Sequence, residues 1–121
     1  MAEQPTPLIS RDDVRRVLRR DFPAADYGAA LIILEEYGSK IDGETGEARV
    51  RLAALKLADG DLKELGRHIA AARQDYRDVL AAAEYPAASL RWSAMSSLRE
   101  EERQDIYDAD WDQYQEWLQR K

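Results

Sequence analysis

The sequence predicts an all-α fold, a single compact domain of five to six helices around a central helical hairpin. Three observations lead there. Apolar residues recur at 3.6-residue spacing through most of the chain. Capping pairs of the Ser/Asp-x-x-Asp/Glu kind stand ahead of three of these stretches. With 121 residues and 45% hydrophobic composition, the chain can bury one core without staples. It contains no cysteine, which removes a disulfide scaffold, a thiolate metal site and a cysteine nucleophile together.

Residues 1–9 carry Pro5 and Pro7 and are expected to form a flexible N-terminal arm. Ser10 with Asp13 then opens a helix to about Arg20. Its thin apolar stripe is Val14, Val17 and Leu18, and its outer face Arg15, Arg16, Arg19 and Arg20. Pro23 suits the first turn of a second helix, running to Tyr37 and stopped by Gly38. Tyr27, Ala30, Leu31, Leu34 and Tyr37 share one face there. Ile32 and Ile33 lie off it, so cover on more than one side is expected. The alternative for residues 30–34 is a short strand.

Residues 39–46, with Gly43 and Gly46, read as a loop. The third helix follows from about Glu47 to Ala58. Val50, Ala53, Ala54 and Leu57 form one apolar face, while Ala48, Leu52 and Leu55 lie nearly opposite. Such a helix must be sandwiched, by its own chain or by a second subunit. Gly60 ends it, and Asp61 with Glu64 caps a fourth helix to about Glu84. Leu62, Leu65, Ile69, Ala72, Tyr76, Val79, Leu80 and Ala83 make its stripe, continuous over six turns. Pro86 forbids ordinary continuation. Residues 86–97 are a short helix or a packed linker. Ser97 and Glu100 then cap a last helix from Leu98 to about Gln119, in which Ile106, Tyr107, Trp111, Tyr114, Trp117 and Leu118 share a face. Residues 10–86 thus form the helical core, and residues 87–121 an aromatic and acidic extension that packs on that core or on a partner.

The pair formed by the third and fourth helices also resembles a known group. Arg49-Val50-Arg51-Leu52-Ala53-Ala54-Leu55-Lys56-Leu57-Ala58, then Gly60-Asp61-Leu62, then the run from Asp75-Tyr76-Arg77-Asp78-Val79-Leu80 to Glu84-Tyr85-Pro86, is similar to segments of small all-helical bacterial proteins. The resemblance implies a helical hairpin and no particular activity. Residues 1–48 and 87–121 lie outside it.

The formal charge of −6 argues against a general nucleic-acid or anionic-membrane binder. It is unevenly spread. Residues 1–20 hold five arginines against three acids, and residues 99–121 hold eight acids against four bases, so the ends can attract each other or a partner. The longest apolar run, residues 29–34, is far short of the roughly 20 that span a bilayer. With no secretory leader pattern in residues 1–9, a cytoplasmic location is expected.

Candidate chemistry is sparse. A single histidine, His68, excludes paired-imidazole metal sites; it follows Glu64 by four residues, a spacing for a helical ion pair or an oriented general base. Glu35-Glu36, Glu100-Glu101-Glu102 with Asp105, and Asp108, Asp110 and Asp112 are acidic groups of a kind that can hold magnesium or simply face solvent. The last set mimics a calcium loop but has Gln113 and Gln119 where glycine and glutamate are required. Arg73 and Arg77, beside Asp75 and Asp78, form either a phosphate- or partner-binding edge or internal bridges. No catalytic set, cofactor or metal is assigned. Five of the ten aromatics (Trp92, Tyr107, Trp111, Tyr114 and Trp117) fall in the last thirty residues, which singles them out as candidate partner-binding residues. The expected function is a non-enzymatic protein–protein interaction module, an adaptor or an acidic immunity-type inhibitor of a basic partner. Two alternatives are a small magnesium-dependent hydrolase of a phosphorylated compound and a structural homodimer.

Overall fold

The structure, a computed structural model, describes residues 11–37, 44–90 and 92–120, without the side chains of residues 44–46 and 92. The expected arm over residues 1–9, the cap at Ser10, the stop at Gly38, the first half of the loop that follows and the Trp92 side chain lie outside the described residues.

The described chain is all-α. The order is α1 (Arg11–Asp21), a 3₁₀ turn (Ala24–Asp26), α2 (Tyr27–Glu35), α3 (Glu44–Ala58), α4 (Leu62–Glu84), α5 (Pro86–Leu90), α6 (Trp92–Met95) and α7 (Glu100–Gln119). α3 and α4 form the central hairpin, with α1 laid against α3, α2 against α4, and α7 against α4 and α5. One apolar core joins them. It runs from Val17 and Leu18 through Leu34, Leu52, Leu55, Leu65 and Ile69 to Tyr114, Trp117 and Leu118, so α7 belongs to the core.

α3 is the hub. Val50, Leu52, Ala53, Ala54 and Leu55 are buried on both flanks, and Leu57 is half-buried against the same core. The second subunit left open by its two-faced pattern is unnecessary, because α1 and α4 enclose it. The turn into α4 places Asp59 and Gly60 at positive φ (50° and 83°). Gly60 also lies so close to α1 that a Cβ there would sit 2.7 Å from the Asp21 carbonyl oxygen, which makes glycine necessary. Asp61 then caps α4 by accepting from the Glu64 N–H at 3.1 Å, as its spacing predicted.

Several expectations need correction. Pro23 introduces a single 3₁₀ turn, so α2 begins only at Tyr27. Of the two residues off the α2 stripe, Ile33 packs against the core but Ile32 is 65% exposed, and Leu31 of the stripe itself is 41% exposed. α3 starts at Glu44, earlier than its apolar pattern suggested. α4 is not one straight helix. Asp75 leaves helical geometry (φ −154°, ψ 99°), and its carboxylate accepts from the Arg77 N–H at 3.1 Å. Asp75 thereby acts as the N-cap of a second segment, with Asp78 three residues on. The break takes Tyr76 out of the stripe and leaves it exposed. Residues 86–97 form two short helices. α7 starts at Glu100, where Glu102 accepts from the Arg99 N–H and guanidinium, instead of the Ser97–Glu100 pair.

Candidate partner-binding surface

α7 is the element singled out by its aromatics, and its inner and outer faces differ sharply. Tyr114, Trp117 and Leu118 are buried, with the Tyr114 and Trp117 rings 5.5 Å apart. Tyr107 is half-buried and packs edge-on against Tyr85, centroids 6.4 Å apart. Trp111 is half-buried at the margin. Tyr114 and Trp117 are therefore core residues, and their burial removes them from any surface a partner can touch. Of the aromatic set, Tyr107 and Trp111 are the members with described side chains that reach solvent.

A buried polar seam seats this inner face. Asp110, only 2% exposed, accepts from the N–H groups of Ala87 and Ala88 at 3.0 Å each, and so caps α5 from a neighbouring helix. Pro86, at the first position of α5, has no N–H to satisfy. Burial holds the Lys56 ammonium below the usual lysine range, with the Asp110 charge pulling the other way. Next to this, Glu84 is 3% exposed and takes a two-pronged pair from Arg49, Nε to Oε2 at 2.8 Å and a terminal nitrogen to Oε1 at 2.6 Å. The hydrogen bond to Glu84 moves the Arg49 guanidinium further toward its charged form, against the opposing effect of burial. The Tyr114 hydroxyl is buried and has no hydrogen-bond partner among the described residues, and desolvation raises its pKa above the ordinary tyrosine range.

The C-terminal end of α7 has no basic residue in its last turn. α1 supplies the missing donors: Arg16 to the Leu118 carbonyl at 2.7 Å, and Arg20 to those of Trp117 and Arg120 at 2.6 and 2.7 Å. The Arg20 guanidinium also lies 5.1 Å from the Trp117 ring centre. The arginine face of α1 is thus divided. Arg16 and Arg20 hold the last helix, while Arg15 and Arg19 stay exposed. Arg51 does the same for α2, donating to the carbonyls of Leu34 and Tyr37.

The outer face of α7 carries Glu101, Asp105, Asp108, Asp112 and Glu116, all exposed. Their spacing of three and four residues sets them in one ridge about 22 Å long. Among the described residues no basic side chain pairs with any of them; Gln104 donates to Asp108 at 2.8 Å. Trp111 flanks the ridge.

The remaining candidates have local explanations. His68 Nε2 is 3.7 Å from Glu64, beyond hydrogen-bond length, while Arg67 holds that carboxylate at 2.6 and 2.8 Å. Burial, reinforced by Arg67, lowers the His68 pKa. Arg77 pairs with Asp75 at 3.0 Å. Among the described residues no three histidine or carboxylate side chains come together as a metal site, and no helix is long and apolar enough to cross a membrane.

Glu84 and Asp110 are the polar residues that sequence reasoning missed. A signal existed: Glu84 follows Leu80 by four, and Asp110 lies three after Tyr107 and four before Tyr114, so each acid occupies an apolar-stripe position. Comparison with protein-family models, with curated proteins and with solved structures finds no match for this chain.

Proposed function

We propose that the chain is a non-enzymatic protein–protein interaction module that docks a basic protein on the outer face of α7. The observation that carries this reading is the ridge of five exposed carboxylates without an internal cation among the described residues. Its four successive like-charge pairs each cost the helix about 0.2–0.5 kcal/mol. Only Glu101, in the first turn, gains from the helix dipole; the other four bring a purely structural surface nothing. A docking surface gains fast, sign-selective capture of a cationic partner, with the half-buried Trp111 supplying apolar contact at the margin. On this reading the α3–α4 hairpin is the scaffold and α7 the working face. Neutralising a basic target fits an immunity-type inhibitor or an adaptor.

The test is co-expression with the products of neighbouring reading frames, followed by capture on this chain across a salt series. A variant carrying Glu101→Gln, Asp105→Asn, Asp108→Asn, Asp112→Asn and Glu116→Gln is compared with the parent. A basic protein is expected to be retained at low salt, released as salt rises and lost with the variant, while the variant melts at a higher temperature than the parent. Equal retention by both, or a variant that melts lower, overturns the proposal.

A further inference from the structure

The face of α2 that the molecule leaves uncovered has no role in the reading above. α2 is almost wholly apolar, yet Ile32 stands 65% and Leu31 41% exposed. Leu31 lines a cleft of about 290 Å³ that is floored by Val14, Leu34 and Ala48 and walled by the charged residues Arg11, Arg15, Glu35, Glu47 and Arg51. Ile32, the residue after Leu31, projects next to this recess, and a projecting side chain near a recess is the arrangement an isologous contact requires. Gly28, one turn before Ile32, has nothing within 4 Å of where its Cβ would be, so another backbone can pass close to it.

The charges on this face match the same symmetry. Glu35 and Glu36 are exposed at the C-terminal end of α2. Arg19 is exposed beside its N-terminal end, where the Tyr27 hydroxyl donates to the Arg19 carbonyl at 3.0 Å. No partner for these three side chains is present among the described residues. A uniformly acidic surface would meet Glu35 and Glu36, and a uniformly basic one would meet Arg15 and Arg19. A second copy crossed antiparallel on α2 sets the acidic end of each helix against the arginine end of the other. We propose that the exposed Ile32 face of α2, with its adjoining cleft, is a homodimer contact in which Ile32 of each copy enters the cleft of its partner. α2 is nine residues long, about 14 Å, so the interface belongs to the small, reversible class.

Sedimentation velocity on the full chain from about 5 to 300 μM, spanning the affinities of such contacts, tests this. The weight-average mass is expected to climb from monomer toward dimer. Ile32→Asp is expected to remain monomeric throughout with an unchanged melting temperature, because that side chain is mostly in solvent. Arg19→Glu and Glu36→Arg are each expected to weaken association, and the two combined in one chain to restore it. A monomer mass across the whole range overturns the proposal, as does an Ile32→Asp protein that associates like the parent, or a combined charge exchange that fails to recover association. The five-residue neutral variant of α7 is expected to keep this dimer, which separates failure here from failure of the docking reading.

Discussion

Glu84 and Arg49 show what burying a single pair requires. The carboxylate is 3% exposed while the guanidinium keeps 24% of its surface, so the two partners are not equivalent. Removing Arg49 strands a charge that has no route to water; removing the charge of Glu84 leaves an arginine that can still reach solvent. Arg49→Met is accordingly expected to cost about 3–5 kcal/mol in urea unfolding. Glu84→Gln, which keeps an accepting oxygen, is expected to cost about 1–2 kcal/mol. Equal losses would refute this asymmetry. His68 sets a pH dependence. Its folded-state pKa lies below the ordinary 6.5, chiefly through burial, so the unfolded chain takes up the proton first. The stability it contributes is complete above pH 6.5 and is lost as pH falls below that value. The parent should therefore lose stability as pH falls below about 6.5, ahead of the carboxylates, and His68→Gln should flatten that stretch of the curve.

At the scale of the element, α7 depends on the rest of the chain at both faces. Its sequence gives it carboxylates in the first turn, which suit the helix dipole, but no cation in the last. Arg16 and Arg20 of α1 complete that end, and Trp117 anchors it in the core. Trp117→Ala is expected to cost about 3–5 kcal/mol and to loosen α7, read by urea unfolding and by hydrogen exchange over residues 114–120. Trp111→Ala, at the half-buried margin, is expected to cost much less. If the two behave alike, the division of α7 into a packed and an outward face is wrong. α4 teaches a different lesson. Its apolar period runs unbroken through Asp75, yet Asp75-x-x-Asp78 is itself a capping pattern, and local hydrogen bonding to the Arg77 N–H wins over continuous helix.

In the whole molecule, α1 meets the C-terminal end of α7. The charge imbalance of the sequence suggested attraction between basic residues 1–20 and acidic residues 99–121. The contact is more specific than that, since the α1 arginines bind main-chain carbonyls at the end of α7 and leave its acidic ridge to solvent. Helix order, the hairpin and the hub role of α3 were legible because each follows from apolar spacing along one segment. The exposure of Ile32 and Tyr76 was not, since one face of a helix looks the same whether or not a neighbour arrives to cover it. Nor was the burial of Glu84 and Asp110, which depends on donors supplied by Arg49 and by the start of α5, 35 and 23 positions away.

The order of amino acids thus determined by itself that this chain is helical, where α4 begins, where α3, α4 and α7 end, and which stripes want to leave water, because propensity, capping and periodicity act over a few residues. Only the tertiary structure decided which stripes found a neighbour, which charges went inside and which aromatics stayed at the surface. Those outcomes are set by pairings between segments that no local pattern encodes.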